Sequence, residues 1–209
     1  DPVLTELSKW AETIVKLPLA RESERLANDL NRFPPEFLLF ARAVERLDVN
    51  LPNGSDLHYR CVDMGDGKWR LTDLAADASS EWWVAHTPHT PSEAALAEVG
   101  ETIARREITV SYAAPLDEAQ TLGRFWAHFP LQDVTSARGI HNAPWRINDD
   151  RTNLLEGVFN EEILEKVAEL LVDSLPHLSS SEDPAKHFDY LPARGREAPN
   201  FADKFLTEL

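Results

Sequence analysis

The chain has 209 residues, 43% of them hydrophobic and 9% aromatic, which is enough for one large domain or two small ones with a real core. Its 36 acidic residues outnumber 21 lysines and arginines, and the net charge is -15. Phosphate groups repel such a chain unless basic residues are concentrated somewhere, and the sequence has no basic run. We therefore expect no binding to nucleic acids or to membranes.

The sequence also bears on the compartment. No apolar stretch approaches the roughly 18 residues that span a bilayer, and the start at Asp1-Pro2-Val3-Leu4 has neither a basic region nor a hydrophobic signal core. Cys61 is the single cysteine, which excludes an internal disulfide and a cysteine-based zinc site. We expect a cytoplasmic protein and, because the sequence lacks an initiator methionine, a longer parent chain.

The first 48 residues have helical patterns. Apolar residues recur at helical spacing from Leu4 to Leu17, where Pro18 interrupts them, and this spacing predicts a first helix. A second, buried helix is predicted for residues 34–47, because prolines in a first helical turn cost little. Its apolar face consists of Phe37, Leu38, Phe40, Ala41 and Val44.

From Leu47 the pattern changes to short strand-like runs that are separated by turn residues. The runs predict an antiparallel meander of two or three hairpins. "DMGDG", residues 63–67, has the D-x-G-x-G spelling of an ATP-binding loop, but its place between two strand-like runs favours a hairpin turn. The predicted strands are residues 47–51, 56–64, 68–74 and 81–87.

The second half of the chain alternates between strands and helices. A helix that begins at the cap Ser92 is predicted for residues 92–107, and the last long helix is predicted for 160–175 with Asn160 as its cap. Strands are predicted for 107–116, 123–131 and 139–147, and two short helices in the tail. The sequence therefore predicts an α+β fold, an antiparallel or mixed sheet with covering helices. The predicted parts are a helical lead-in (1–48), an α+β body (49–178) and a tail (179–209).

Several side chains invite a catalytic or metal-binding role. "HTPH", residues 86–89, offers two imidazoles, but no third ligand is near and a surface loop is expected. His128 and His141 lie in strand-like runs that could place them opposite each other across a sheet. Since the sequence identifies no third donor for a metal, we expect both to be structural polar residues. We expect the four tryptophans in strand-like runs to belong to the core. They are Trp82, Trp83, Trp126 and Trp145.

Residues 139–157, "GIHNAPWRINDDRTNLLEG", combine a strand-like half with a polar half. The polar half predicts one helical turn capped by Asn148 or Asp149, whose free N–H groups would stabilise an anion. Arg151 beside that terminus would add a charge-assisted contact to phosphate. The alternative is a solvated ion pair between Arg151 and the adjacent Asp149 and Asp150.

The order of these motifs resembles a known family. Residues 123–171 resemble the segment that follows the ATP-binding fold in sacsin-type proteins, members of the superfamily of gyrase, the ninety-kilodalton heat-shock chaperone, histidine kinases and the mismatch-repair ATPase. The family pattern has a strand G-x-x-F/Y-x-x-L/F-P-L, a strand H-V-N-x-x-F/W-x-L, an arginine-containing turn and an asparagine-led helix. Here these are residues 123–131, 141–147, 149–151 and 160–164. Residues 33–49 look like the helix and strand that lead out of the ATP-binding fold.

The resemblance implies a transducer or middle region, with the ATP-binding domain before Asp1. In trans, Arg151 would contact the γ-phosphate of ATP held by that neighbouring domain, and ATP and magnesium would belong to the parent protein, not to this fragment. The family has glutamine where this chain has Leu155. The resemblance also implies a protein client and a homodimer as candidate partners.

Two other functions remain open. The chain is alternatively a non-catalytic protein-interaction module of the same fold, which the Leu155 departure and the two aspartates favour. A stand-alone hydrolase that uses His128 or His141 is the third alternative, although no nucleophile is placed beside either histidine.

Overall fold

The structure, a computed structural model, describes residues 2–16, 24–41, 43–51, 54, 56–100, 106–117, 123–192, 195 and 197–209. Within these residues, eight strands form one mixed sheet accompanied by helices, so the predicted α+β class is confirmed. None of the described helices is both long and apolar enough to cross a membrane. The strands are β1 (Arg46–Val49), β2 (Leu57–Gly65), β3 (Lys68–Asp73), β4 (Ala78–His89), β5 (Ile108–Pro115), β6 (Gly123–Trp126), β7 (Pro130–Thr135) and β8 (Ile140–Asn142).

The sheet order is β1-β2-β3-β4-β5-β8-β6-β7. Strands β1 to β5 pair antiparallel in chain order, as the meander prediction requires. The Asp63–Gly67 motif is the turn between β2 and β3, and its Gly65, Asp66 and Gly67 all have positive φ. This is a hairpin turn, as predicted, and the two glycines supply the left-handed conformation without steric cost.

The later strands depart from the predicted pattern. Residues 123–131 do not form one strand, because the chain reverses at 127–129 between β6 and β7, where His128 has φ +66°. Strand β8 covers only Ile140–Asn142 and inserts between β5 and β6, parallel to β6. Neither feature has a local signal, because the pairing is decided by strands that lie far apart in sequence.

Helices cover one side of the sheet, which we call the helix side. They are α3 (Glu93–Val99), α4 (Val158–Ser174) and α5 (Phe201–Glu208). Ser92 caps α3 as predicted, by accepting from the Ala95 N–H at 3.1 Å. Helix α4 packs over β4 and β5. The main core lies beneath these helices and includes the buried side chains of Tyr112, Phe125, Trp145, Phe159, Ile163 and Leu164.

The opposite side of the sheet, the turn side, is covered by a 3-10 helix over Pro35–Leu39. Leu38 and Leu39 are buried there against Cys61, Trp82 and their neighbours. The predicted helix over 34–47 is therefore wrong beyond its first turn. Val44 is exposed and the chain is already in β1 at Arg46, because β1 gains more from pairing with β2 than from a local helix.

The first predicted helix is also wrong in extent. Helix α1 spans Pro2–Leu7, and Trp10 is 73% exposed, so its apolar stripe has no described surface to cover. A helix this short is marginal without packing. Leu17 and Pro18 lie outside the described residues. A second short helix, α2, spans Glu24–Leu30.

The tail packs on the body. Tyr190 is fully buried, and α5 begins at the cap Asn200, which accepts from the Asp203 N–H at 2.9 Å. The tail and the chain at Arg138 together hold the end of β5, where three successive carbonyls each accept one side-chain donor. The carbonyls of Pro115, Leu116 and Asp117 accept from Tyr190 Oη (2.6 Å), Lys186 Nζ (2.6 Å) and the Arg138 guanidinium.

Candidate functional site

The polar half of residues 139–157 is a closed loop and not a helical turn. Ile147 and Leu154 form an isolated antiparallel bridge, and the chain reverses between them. Arg151 has φ +57°, in the left-handed region, which no residue of a right-handed helical turn adopts. The predicted helical turn is therefore wrong, and the anion-binding N–H groups of a helix terminus are not formed. We call residues 148–154 the arginine loop.

Asn148 closes the arginine loop from within. Its Oδ1 accepts from the backbone N–H groups of Thr152 (2.8 Å) and Asn153 (3.1 Å), and its carbonyl accepts from the Arg151 N–H at 2.9 Å. An asparagine side chain that bonds its own following backbone competes with helix formation. The residue predicted as a helix cap thus forms the loop instead.

Asp133 on β7 anchors the loop to the sheet. Its carboxylate is buried and accepts from the Leu154 N–H (2.6 Å) and from Asn153 Nδ2 (3.0 Å). The Gln132 N–H also donates to the Thr152 carbonyl at 2.7 Å, so the loop lies along the edge strand β7. A carboxylate that accepts two such bonds while buried holds the loop in one position.

The base of the arginine loop is closed by Asn160. This residue is 1% exposed, and its amide accepts from the Arg146 N–H (2.9 Å) and donates to the Arg146 and Leu155 carbonyls (both 2.7 Å). It therefore does not cap α4, and the sequence-based prediction of a cap is wrong. Glu98 of α3 binds the first N–H groups of α4, those of Val158 and Phe159, each at 3.1 Å. These backbone hydrogen bonds lower the pKa of Glu98, and the bond from the Phe159 N–H has the largest effect.

Arg151 itself is exposed on this loop. Among the described residues its guanidinium has no hydrogen bond and no ion pair, whereas Arg70 and Arg146 each lie within 4 Å of a glutamate. The alternative of an ion pair with Asp149 or Asp150 is therefore not seen in this conformation. Leu155, at the position of the family's glutamine, is 36% exposed.

The two histidines of the hydrolase alternative are not brought together. His128 is exposed in the turn between β6 and β7, whereas His141 is fully buried on β8. The two side chains therefore do not face each other across the sheet, because the chain reverses at His128. His141 instead stacks on Tyr112 with ring centroids 5.2 Å apart, and its Nε2 bonds the Ala137 carbonyl at 3.1 Å.

Burial of His141 makes a prediction for acid stability. Burial lowers the pKa of His141 to about 4, so the folded protein holds it neutral while the unfolded chain protonates it near 6.5. Its contribution to stability is complete above pH 6.5 and is lost as the pH falls towards 4. Between pH 7.5 and pH 5, the free energy of unfolding, measured with urea, should fall by about 2 kcal/mol more in wild type than in His141→Phe. Equal losses in the two proteins would contradict the assignment.

His86 and His89 do not form the expected surface loop. Both lie in β4, which continues to His89 and pairs with β5. Glu162 of α4 accepts from His89 Nε2 (3.2 Å) and from the Ser92 N–H (3.0 Å). Burial raises the pKa of Glu162, but these hydrogen bonds outweigh it and the net shift is downward. Among the described residues, no group of three or more histidine, cysteine or acidic side chains could hold a metal ion.

The four tryptophans are core residues, as predicted: Trp82, Trp83, Trp126 and Trp145 are all buried. Trp83 also closes the Asp63–Gly67 turn. A Cβ on Gly67 would lie 2.8 Å from the Trp83 ring, so the glycine is needed for this close approach as well as for its φ. Cys61 is buried too, and burial raises its thiol pKa to about 11, which keeps it protonated.

Comparisons of the chain with protein-family models, with curated proteins and with solved structures find no match. The residues of the chain themselves therefore carry any inference about function. Of the residues singled out in the sequence, Arg151 is the one that is both accessible and held on a braced loop.

Proposed function

We propose that this chain is the middle, or transducer, region of a sacsin-like, chaperone-type ATPase, in which Arg151 contacts the γ-phosphate of ATP bound by a neighbouring domain. The observation that carries the proposal is the exposed guanidinium of Arg151, which has no ion pair among the described residues and lies on a loop anchored by Asp133. Contact with the phosphate would couple the nucleotide state to domain closure.

The physical support comes from charge and position. In a chain of net charge -15, an exposed arginine that no described carboxylate neutralises keeps its full charge for an external anion. The guanidinium forms two parallel hydrogen bonds to phosphate oxygens, a geometry that lysine lacks. Because Asn148 and Asp133 hold the backbone of the loop, less conformational entropy is lost when the contact forms.

The described residues fit one phosphate contact and not a whole nucleotide site. Residues 63–67 form a hairpin turn packed on Trp83, and no described cluster could hold a metal ion. In this proposal ATP and magnesium belong to the neighbouring domain, which would supply the adenine and metal ligands. Leu155 provides no second polar contact, so Arg151 acts alone.

The test is ATP turnover and ATP affinity of the protein that contains this chain together with its nucleotide-binding domain. Arg151→Ala should lower turnover about 100-fold, the effect of removing one charge-stabilising donor, with ATP affinity nearly unchanged. Arg151→Lys should recover only part of the rate. Arg124→Ala removes another exposed arginine, on β6, and should keep the wild-type rate. Wild-type turnover in Arg151→Ala would refute the phosphate-sensing role.

A second candidate, a non-catalytic protein-interaction module, is favoured by an exposed aromatic cluster. Phe129 in the β6–β7 turn is 47% exposed and stacks on Phe37 with ring centroids 5.4 Å apart. Phe33 meets both rings edge-on, each at 5.8 Å. Aromatic side chains are enriched in protein interfaces. Unchanged ATP turnover in Arg151→Ala would leave this module as the better description.

A further inference from the structure

The helix side of the meander carries a basic surface. Cys61, Leu71 and Trp82 are buried on the turn side, so the alternate residues of these strands point to the helix side. Helix α4 covers β4 and β5 and leaves β1 to β3 exposed. We call the exposed basic side chains there the basic face. They are Arg46, Arg60, Lys68 and Arg70, and the acids on the same side are Asp48 of β1 and Glu81 of the neighbouring β4, which binds Arg70 at 2.8 Å.

The charges of the basic face are only partly neutralised. Asp48 accepts from Arg46 (2.8 Å) and also contacts His58 (2.7 Å). Arg60 and Lys68 have no ion pair among the described residues. Arg46 and Arg60 lie directly opposite each other in the β1–β2 register, an arrangement of like charges that destabilises a sheet. Such a surface is stabilised by an acidic partner.

An acidic surface of matching size lies on the same side of the molecule. Glu161, Glu165, Glu169 and Asp173 recur four residues apart along the outer part of α4, and we call them the acidic ladder. Of these, Glu169 alone has an ion pair among described residues, with Lys166 at 2.6 Å. Like charges at this spacing, and an acid near a helix C-terminus, are both unfavourable in an isolated helix.

We propose that this chain forms a two-fold symmetric dimer in which the acidic ladder of each copy lies on the basic face of the other. When the helix sides of two copies face each other, a two-fold axis between them creates both contacts at once, as a self-complementary interface requires. Helix α4 of each copy then covers the basic face of the other copy, beside that copy's own α4. The two helices form one layer between two sheets.

The dimensions agree with this arrangement. Helix α4 has 17 residues, a length of about 25 Å, and a diameter of about 10 Å. Strands of six to nine residues measure about 20–30 Å, and the outer two of three neighbouring strands lie about 10 Å apart. Two such contacts would bury on the order of 1,500 Å², the size of a standard stable interface.

A charge swap tests the proposal by analytical ultracentrifugation at physiological salt. The basic-face variant carries Arg60→Glu and Lys68→Glu, and the ladder variant carries Glu165→Lys and Asp173→Lys. Wild type should dimerise within about 1–200 µM, and each variant alone should bind itself at least about 100-fold more weakly, because two of the four charges that one surface brings to each contact then repel the other surface. An equimolar mixture of the two variants should dimerise again, since both contacts are complementary once more.

A matched control carries Arg32→Glu and Arg124→Glu, which make the same change in net charge as the basic-face variant at exposed positions away from both surfaces. It should dimerise like wild type, and circular dichroism should show that all variants are folded. The proposal is overturned if wild type is monomeric over this whole range of protein concentration. That holds even if the basic face is then found to bind a separate acidic protein or an RNA. It is equally overturned if the mixture of variants stays monomeric.

Discussion

The Gly123→Ala substitution is expected to destabilise the protein by about 4 kcal/mol or more, which is a large share of the roughly 5–15 kcal/mol that stabilises a native protein. A Cβ at this position would lie 1.7 Å from the Ala137 carbonyl oxygen and 2.8 Å from Thr135 Cγ2. The first of these atoms is backbone, so no side-chain rotation relieves the overlap. Strand β6 would have to separate from the chain that follows β7.

Gly54→Ala is the matched control for Gly123→Ala. Gly54 has φ +74°, and a Cβ at this position would have no atom within 4 Å, so alanine there costs only the left-handed backbone, about 1 kcal/mol. The measurement is urea unfolding followed by tryptophan fluorescence. A Gly123→Ala protein as stable as Gly54→Ala would show that β6 and residue 137 do not approach as described.

The second large effect is expected for Asn160→Ala, which should lower the free energy of unfolding by about 3 kcal/mol. The amide of Asn160 binds three backbone groups at the base of the arginine loop. Its removal takes the partner from the Arg146 N–H and from the Leu155 carbonyl, whereas the Arg146 carbonyl keeps the Leu155 N–H at 3.1 Å. The loss should be accompanied by faster hydrogen exchange of the Thr152 and Asn153 amides, because a single backbone bond, from the Leu155 N–H to the Arg146 carbonyl, is then left of those that join residues 146, 155 and 160.

Asn160→Asp distinguishes hydrogen bonding from packing. Aspartate has the same shape but replaces the two donated hydrogen bonds by a buried charge facing two carbonyls, so it should be at least as destabilising as alanine. If aspartate were tolerated while alanine was not, side-chain volume and not the donated bonds would be the cause.

The sequence predicted those elements whose information is local. The β2–β3 hairpin was recognisable from its glycines, α3 from the cap Ser92, and α5 from the run that follows Asn200. The apolar face of α4 was also readable, since Ile163, Leu164, Val167, Leu170 and Leu171 are all buried. In each case residues within one or two turns of each other carry the signal.

The arginine loop shows why the remainder was not predictable. Asn148 is as suitable for a helix cap as for a closed loop. Asp133 selects the loop, because it binds the Leu154 N–H from the edge of the sheet, and it lies 15 positions before Asn148 in the sequence. Asn160 looks like a helix cap in sequence, but the chain at Arg146 takes its hydrogen bonds and Glu98 of α3 takes the cap position. These partners are neighbours only after β7, β8 and the helices have packed.

The sequence by itself determined the α+β class, the meander, the acidity of the chain and the presence of Arg151 among acidic neighbours. Tertiary structure alone decided that β8 inserts between β5 and β6 and that His141 is buried while His128 is exposed. It also decided that Arg151 projects from a braced loop without an ion pair to any part of the chain that the structure describes. It also decided that the basic residues of β1 to β3 share one uncovered face. Hydrophobic spacing and turn residues act over a few positions, whereas strand order, burial and charge neighbours depend on contacts between segments far apart in the chain.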